Sequence, residues 1–311
     1  MTASPDLGPP AGLFARLTAS RWGKLAIQFL RWGIPVLLLT VIIHRLSLLG
    51  WRGIWDARPG NLGFYGLLAL QFFIQPFGDY LVYRNLWATP PPLSVILRKR
   101  LLNAFMLDYS GEAFFYFWAQ RHLKLPPGML VHAIKDSNVL SGGAGLLMVY
   151  ILGVALLATG GLHLPALSGT YSWLYVLAGS VPLLLAAGLV LGHRKLTVLS
   201  RGQIATTFAI HFTRALFVLL VEFGLWEVSG ALPSAVACLQ FVALRLVVSR
   251  LPLVPNKDLI FIGAGLAAAG AANMAVMPVA TVLVILAAAD LVLAAAVASL
   301  TWLLDLRRKA V

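Results

Sequence analysis

Acidic side chains are scarce in this chain: 11 Asp and Glu among 311 residues, against 24 Lys and Arg. Charged residues of either sign make up only 11% of it, and apolar residues 60%. So little polar surface cannot solvate a water-soluble globule of this size. Cysteine is almost missing too. Cys238 stands alone within an apolar segment, which excludes an intrachain disulfide. Also absent are a GxxxxGK[ST] phosphate loop, a GxSxG elbow, an HExxH pair and aspartates spaced for a magnesium-diphosphate site. The six histidines are scattered, which argues against zinc. No metal or cofactor is expected.

Long apolar runs are abundant. They recur from Leu25 to Leu304 at lengths suited to crossing a bilayer. The expected fold is an all-α polytopic membrane protein with about eight transmembrane helices. The domain plan is a flexible cytoplasmic tail over 1–24, one membrane domain over 25–304 and a short basic tail over 305–311. The spans expected are Leu25–Leu46, Leu62–Tyr83, Gly143–Thr159, Tyr171–Leu191, Ile204–Val228, Leu232–Ser249, Leu259–Met277 and Pro278–Leu304, the last two divided at "NMAVMP". The net charge of +13 sits in short clusters between apolar segments. That is the pattern of the positive-inside rule rather than of a nucleic-acid surface. "RKR" at 98–100, "HRK" at 193–195 and "RRK" at 307–309 are therefore expected in the cytoplasm, with both termini, in a multi-pass cell-membrane protein. "GGLHLPALSGTYSW", which lacks Lys and Arg, is expected outside.

Between Arg98 and Gly160 the chain must cross an odd number of times, yet it holds two apolar stretches. A re-entrant helical hairpin over about 101–127, entering and leaving on the cytoplasmic side, resolves the count. Such backbone is tolerated where protein or a wet cavity surrounds it. Gly111 would then sit at a tight bend and Glu112 would line a cavity, although five aromatic residues follow within "YSGEAFFYFWAQRH".

Ionisable residues inside apolar segments are the candidate site, because bare charge there is costly and is commonly functional. Asp108 and Glu112, four apart, would share a helix face and titrate as a unit. Alternatively Asp108 lies shallow in water and Glu112 alone is buried, against a helix N-terminus or an arginine. Asp136 lies in "HAIKDSNVLSGGAG", read either as an interfacial turn feeding the next span or as part of a site. His211, Arg214 and Glu222 fall in one span. The last two are about 80° apart around a helix and roughly 12 Å apart along it, so each needs a partner elsewhere. Arg214 opposite Glu112 or Asp290 is the pairing expected first. Arg245 is the favoured contact for a lipid phosphate, while Arg250 is explained by snorkelling. Asp290, among small residues, would be neutral or paired with an arginine. "RLPLVPNKDLIF", with Pro252, Pro255 and Asp258, is either an unwound start to a helix facing an anion or an ordinary cytoplasmic loop.

Two of these stretches resemble the transmembrane, flippase-type domain family of the lysylphosphatidylglycerol synthases. In "YSGEAFFYFWAQRHLKLPPGMLVHAIKDSNVL", Gly111, Glu112, Arg121 and Asp136 follow the order of the family's Gly-Glu step, basic residue and second acid. In "LPLVPNKDLIFIGAG", Pro252 and Pro255 match its Pro-x-x-Pro. Asn256 and Lys257 replace the usual glycines, and a downstream Glu is missing unless Asp258 substitutes. The resemblance implies a membrane protein with two membrane-dipping segments that handles anionic or aminoacylated lipids, glycolipids or isoprenoid carriers. The soluble aminoacyl-transfer domain has no counterpart in this sequence. The substrate-contacting residues expected are thus Asp108, Gly111, Glu112, Arg121, Asp136, Arg214, Glu222, Arg245, Asp258 and Asp290. The partners expected are membrane lipids or a lipid-linked substrate, with no nucleic acid and homo-oligomerisation left open. The function expected is lipid binding and translocation between leaflets. The alternatives are a membrane transferase or hydrolase with Glu112 as general base, and a non-catalytic assembly subunit.

Overall fold

The computed structural model describes residues 50–87, 89–105, 109–162, 197–251 and 257–309, with the isolated positions Thr40, Ile43, His44, Ser47 and Ser180. The expected tail over 1–24, Asp108, nearly all of the Leu25–Leu46 and Tyr171–Leu191 spans, and the two prolines at 252 and 255 lie outside the described residues.

Every regular element among the described residues is a helix. They are α1 (Trp51–Asp56), α2 (Leu62–Leu86), α3 (Leu93–Phe105), α4 (Ser110–His122), α5 (Pro127–Ala158), α6 (Arg201–Ser229), α7 (Ala235–Ser249), α8 (Lys257–Ala271) and α9 (Val276–Lys309). Among the described residues, three segments are long and apolar enough to cross a membrane: Pro127–Ala158, Arg201–Ser229 and Val276–Thr301.

Local chemistry sets the boundaries. Asn61 caps α2 by accepting from the Gly63 N–H at 2.8 Å, and α3 begins just after Pro90, Pro91 and Pro92. Pro127 opens α5 at a position where a missing N–H costs nothing. Ser200 and Gln203 form a reciprocal capping box on α6, which ends at Gly230 in the left-handed region, φ 64°. Ser234 caps α7. The turn expected at "NMAVMP" lies between α8 and α9, with Asn273 at φ 52°.

Several expected boundaries need correction. The span placed at Gly143–Thr159 is the C-terminal half of one 32-residue helix, so "HAIKDSNVLSGGAG" is helical rather than a turn. No proline interrupts it after Pro127, and its buried polar residues find partners on other elements. The segments placed at Leu232–Ser249 and Leu259–Met277 contain helices of only 15 residues each. The last helix runs on beyond Leu304 to Lys309. "RKR" is not a loop cluster: it lies within α3, where Lys99 is buried, because three different partners draw its three cations inward.

Among the described residues the element order repeats. Helices of 25, 13, 13 and 32 residues (α2 to α5) are followed by helices of 29, 15, 15 and 34 residues (α6 to α9). Each half is a long helix, a hairpin of two short helices and a second long helix. The halves run in opposite directions, since α2 and α6 pack antiparallel, with Gln71 beside Glu222, Asp79 beside Arg214 and Asn85 beside Thr207. Each hairpin packs its first arm on the last helix of the other half. Arg98 and Arg100 of α3 reach Thr301 and Asp290 of α9. From α7, Gln240 donates to the Gly161 carbonyl just past the end of α5. Apolar packing follows the same plan. A large core joins α2, α6, α7, α8 and α9 around Trp226, Phe241 and Leu283. A smaller aromatic core joins α2, α3, α4 and α5 around Tyr83, Trp87 and Phe115.

Candidate functional site

The first hairpin bends at Tyr109, whose φ of 72° is left-handed. Tyr109 gives no side-chain cap to α4, so Asn103 of α3 takes that role. Its Oδ1 accepts from the Gly111 N–H at 2.6 Å, and its Nδ2 donates to Glu112 Oε2 at 2.9 Å. Gly111 is required sterically, since a Cβ there would lie 2.1 Å from the Lys99 carbonyl oxygen. The arms therefore touch backbone to backbone. That contact brings Glu112, in the first turn of α4, to within 3.4 Å of the Lys99 ammonium.

Lys99 is the hub. Its Nζ also lies 2.8 Å from Asp79 Oδ2 on α2. It sits over the rings of Tyr83 and Phe115, 5.5 and 5.7 Å from their centroids. The aromatic run after Glu112 thus has two faces: Phe115 is fully buried against Tyr83 and Trp87, while Phe117 is exposed. The second carboxylate oxygen of Asp79 accepts from Arg214 Nη1 at 2.5 Å. Arg214 crosses the face of Gly78, where a Cβ would lie 2.4 Å from its Cδ, and its Nη2 donates to Ser141 Oγ of α5 at 2.9 Å. A line of alternating charge, Glu112–Lys99–Asp79–Arg214, therefore crosses the bundle from the first hairpin to α5. Two acids and two cations cancel, which offsets the cost of placing them away from water. Buried His211, one turn before Arg214, adds a 3.1 Å contact to Ser137.

The second hairpin carries a matching arrangement. Arg245 of its first arm lies 3.7 Å from Asp258 in the first turn of its second arm, and 3.5 Å from Glu222 of α6. It also lies over the Phe261 ring. Glu222 is held as well by Gln71 of α2. In both hairpins, then, a cation on the first arm, Lys99 at the middle of α3 and Arg245 toward the end of α7, meets an acid in the first turn of the second. Arg245 is engaged by two carboxylates and a ring.

The remaining expected residues fall elsewhere. Asp290 pairs with Arg100 at 2.9 Å, beside Gln75, and Arg100 stacks on Phe72. Asp136 is buried on α5, 2.5 Å from Thr197 Oγ1 and 3.2 Å from Lys135, and so anchors the approach to α6. Arg121 is exposed in the last turn of α4, apart from both ion-pair groups. The structure brings Gly111, Glu112 and Arg214 into one group and Glu222, Arg245 and Asp258 into another. Arg214 meets neither Glu112 nor Asp290 directly: Asp79 intervenes, because it projects from α2, the helix that α6 packs on along its length.

Sequence reasoning missed Asp79, Lys99 and Asn103. Asp79 carried the signal already applied to Asp290, a lone acid in an apolar span, in "QPFGDYLVY". Lys99 was hidden by its arginine neighbours, which gave the triad the look of a surface cluster. Among the described residues, no group of three or more His, Cys, Asp or Glu side chains is arranged to hold a metal ion. Comparison of the chain with protein-family models, with curated proteins and with solved structures finds no match.

Proposed function

We propose that this chain binds a lipid or lipid-linked substrate and moves it between the leaflets of a cell membrane. The observation that carries this reading is the pair of half-length hairpins inserted from opposite ends of an inverted helix order, each with an ion pair joining its two arms. Arms of 13 and 15 residues would measure about 20 Å and 22 Å, short of a hydrocarbon core about 30 Å thick. Both hairpins therefore enter and leave on one side, the first from the cytoplasm and the second from outside. The eight-span count then becomes six full crossings plus two dipping hairpins, two of those crossings lying on segments the structure does not describe. Inverted repeats with broken helices meeting near the midplane suit alternating access, because either half can rock against the other around a fixed centre. In this reading that centre is the line from Glu112 to Arg214, polar enough to pass a head group while acyl chains stay in lipid. The same architecture supports kinship with the flippase-type domain of the lysylphosphatidylglycerol synthases.

The hydrolase or transferase reading places Glu112 as general base. Both oxygens of that carboxylate are already engaged, one by the Lys99 ammonium at 3.4 Å and the other by the Asn103 amide, so neither faces a substrate unpaired. Translocation is therefore preferred. The experiment is a dithionite-quench assay on vesicles that contain the purified protein and a fluorescent short-chain phospholipid. The wild type should expose inner-leaflet label; Glu112→Gln, with unchanged elution from a sizing column, should not. Full activity of that variant would remove Glu112 from the mechanism, and recovery of chemically altered lipid would favour the enzyme.

A further inference from the structure

Arg250 closes α7 and lays its guanidinium on the backbone of α5. A Cβ added at Gly145 would lie 1.7 Å from its Nη2 and 2.1 Å from its Cζ. Unlike Lys99, Arg100, Arg214 and Arg245, it forms no ion pair with a carboxylate among the described residues. Arg214 reaches the same helix one turn away, at Ser141, so the two guanidiniums contact α5 about 6 Å apart along its axis. Neither residues 251–256 nor residues 163–196 contain an acid.

Depth sharpens the point. The start of α7 lies level with Gly161, where Val236 and Gln240 touch the chain just past the end of α5. Arg250 is therefore about 22 Å from that end, inside a hydrocarbon layer about 30 Å thick. Snorkelling would turn the guanidinium away from the bundle, yet it rests on a buried glycine with its other face open. A cation so placed, next to a second cation, calls for an anion.

We propose that Arg250 and Arg214, with the Ser141 hydroxyl, form a phosphate-binding subsite on α5, in which Gly145 is the seat that lets Arg250 approach. Two guanidinium forks and a hydroxyl converging from different directions suit a tetrahedral oxyanion better than a planar carboxylate. Arg214 is held by Asp79 and supplies geometry, while Arg250 supplies a charge that no carboxylate among the described residues offsets. The subsite rests on the lipid-binding reading above and names the group recognised. The phosphate belongs either to a phospholipid head group or to free inorganic phosphate.

The test uses the full-length protein in uncharged detergent, titrated with dihexanoyl phosphatidic acid and, separately, with inorganic phosphate, by tryptophan fluorescence. Arg250→Gln should weaken phosphatidic acid binding about tenfold or more. Arg250→Lys, which keeps the charge and the fold but loses the fork, should weaken it less. Gly145→Leu should match Arg250→Gln, and Arg52→Gln on exposed α1 should change nothing. Competition by inorganic phosphate at similar concentration identifies the free ion as ligand; its failure to compete identifies the head group. Equal affinity in wild type, Arg250→Gln and Gly145→Leu overturns the subsite. Lipid movement by the wild type with unaltered binding in those variants sinks the subsite alone. Arg250-dependent binding without lipid movement sinks translocation and keeps the subsite.

Discussion

Asp79 and Lys99 face each other across 2.8 Å, the carboxylate on a long helix and the ammonium on the first arm of a half-length hairpin, with the lysine side chain only 6% exposed. This pair fixes how deeply the hairpin sits, because neither charge has water to fall back on. Arg214 on the second oxygen of Asp79, and Glu112 on the far side of Lys99, extend the pair into the line that joins the two halves of the molecule.

Removing one member strands the others. Asp79→Asn leaves Lys99 and Arg214 sharing a neutral amide, and should cost about 3–5 kcal/mol, read as a lowered thermal midpoint in detergent. Combining it with Lys99→Met should cost less than the sum of the two singles by about 0.5–3 kcal/mol. Additivity within experimental error would show that the two charges do not depend on each other.

Glycines on these helices should separate sharply by position. Gly111→Ala puts a methyl 2.1 Å from a backbone carbonyl that cannot move independently of α3. It should destabilise by about 1–3 kcal/mol or more and release Glu112 from Lys99. Gly142→Ala meets nothing within 4 Å and should stabilise α5 by up to about 1 kcal/mol. Thermal denaturation of the two variants side by side checks the ranking.

Arg245 should behave as a structural residue. Its guanidinium serves Glu222, Asp258 and the Phe261 ring together. Arg245→Gln is therefore expected to lower stability by about 3–5 kcal/mol while leaving the affinity for dihexanoyl phosphatidic acid of the folded fraction within about twofold of wild type, against the larger loss in Arg250→Gln. Denaturation and binding measured on one preparation separate the two roles.

The proposed topology, with the first hairpin opening to the cytoplasm and the second outside, predicts a labelling pattern. In a background where the single cysteine is replaced (Cys238→Ala), a cysteine at Leu162 or Asn273 should react with a membrane-impermeant maleimide in intact cells. A cysteine at Lys124 should react only after permeabilisation. External labelling at position 124 would mean that the first hairpin does not return to the cytoplasm.

A break near Gly111 was legible before any coordinates, but not its form: the chain bends at Tyr109, and Gly111 lies inside α4, where it serves close approach to Lys99 rather than backbone freedom. The pairing of Glu112 was not legible either. Lys99 projects from a helix the sequence disguised as a basic loop, and Asn103, which ties Glu112 to Gly111, is one polar residue among apolar ones. The half-length of α7 and α8 was equally hidden. Hydropathy reports how apolar a segment is, not where its helix stops: the segment at 259–277 stays apolar past the end of α8 and into the start of α9.

By itself the sequence determined the solvent of this protein, its helical class and the short inventory of charges that any fold would have to neutralise, since those follow from composition and from the cost of bare backbone and bare charge in an apolar medium. Tertiary structure alone decided which charge meets which. Neutralisation acts over a few ångströms between helices far apart in the chain, Asp79 with Arg214 and Arg100 with Asp290, and only the packing of α2 on α6 and of α3 on α9 sets those distances.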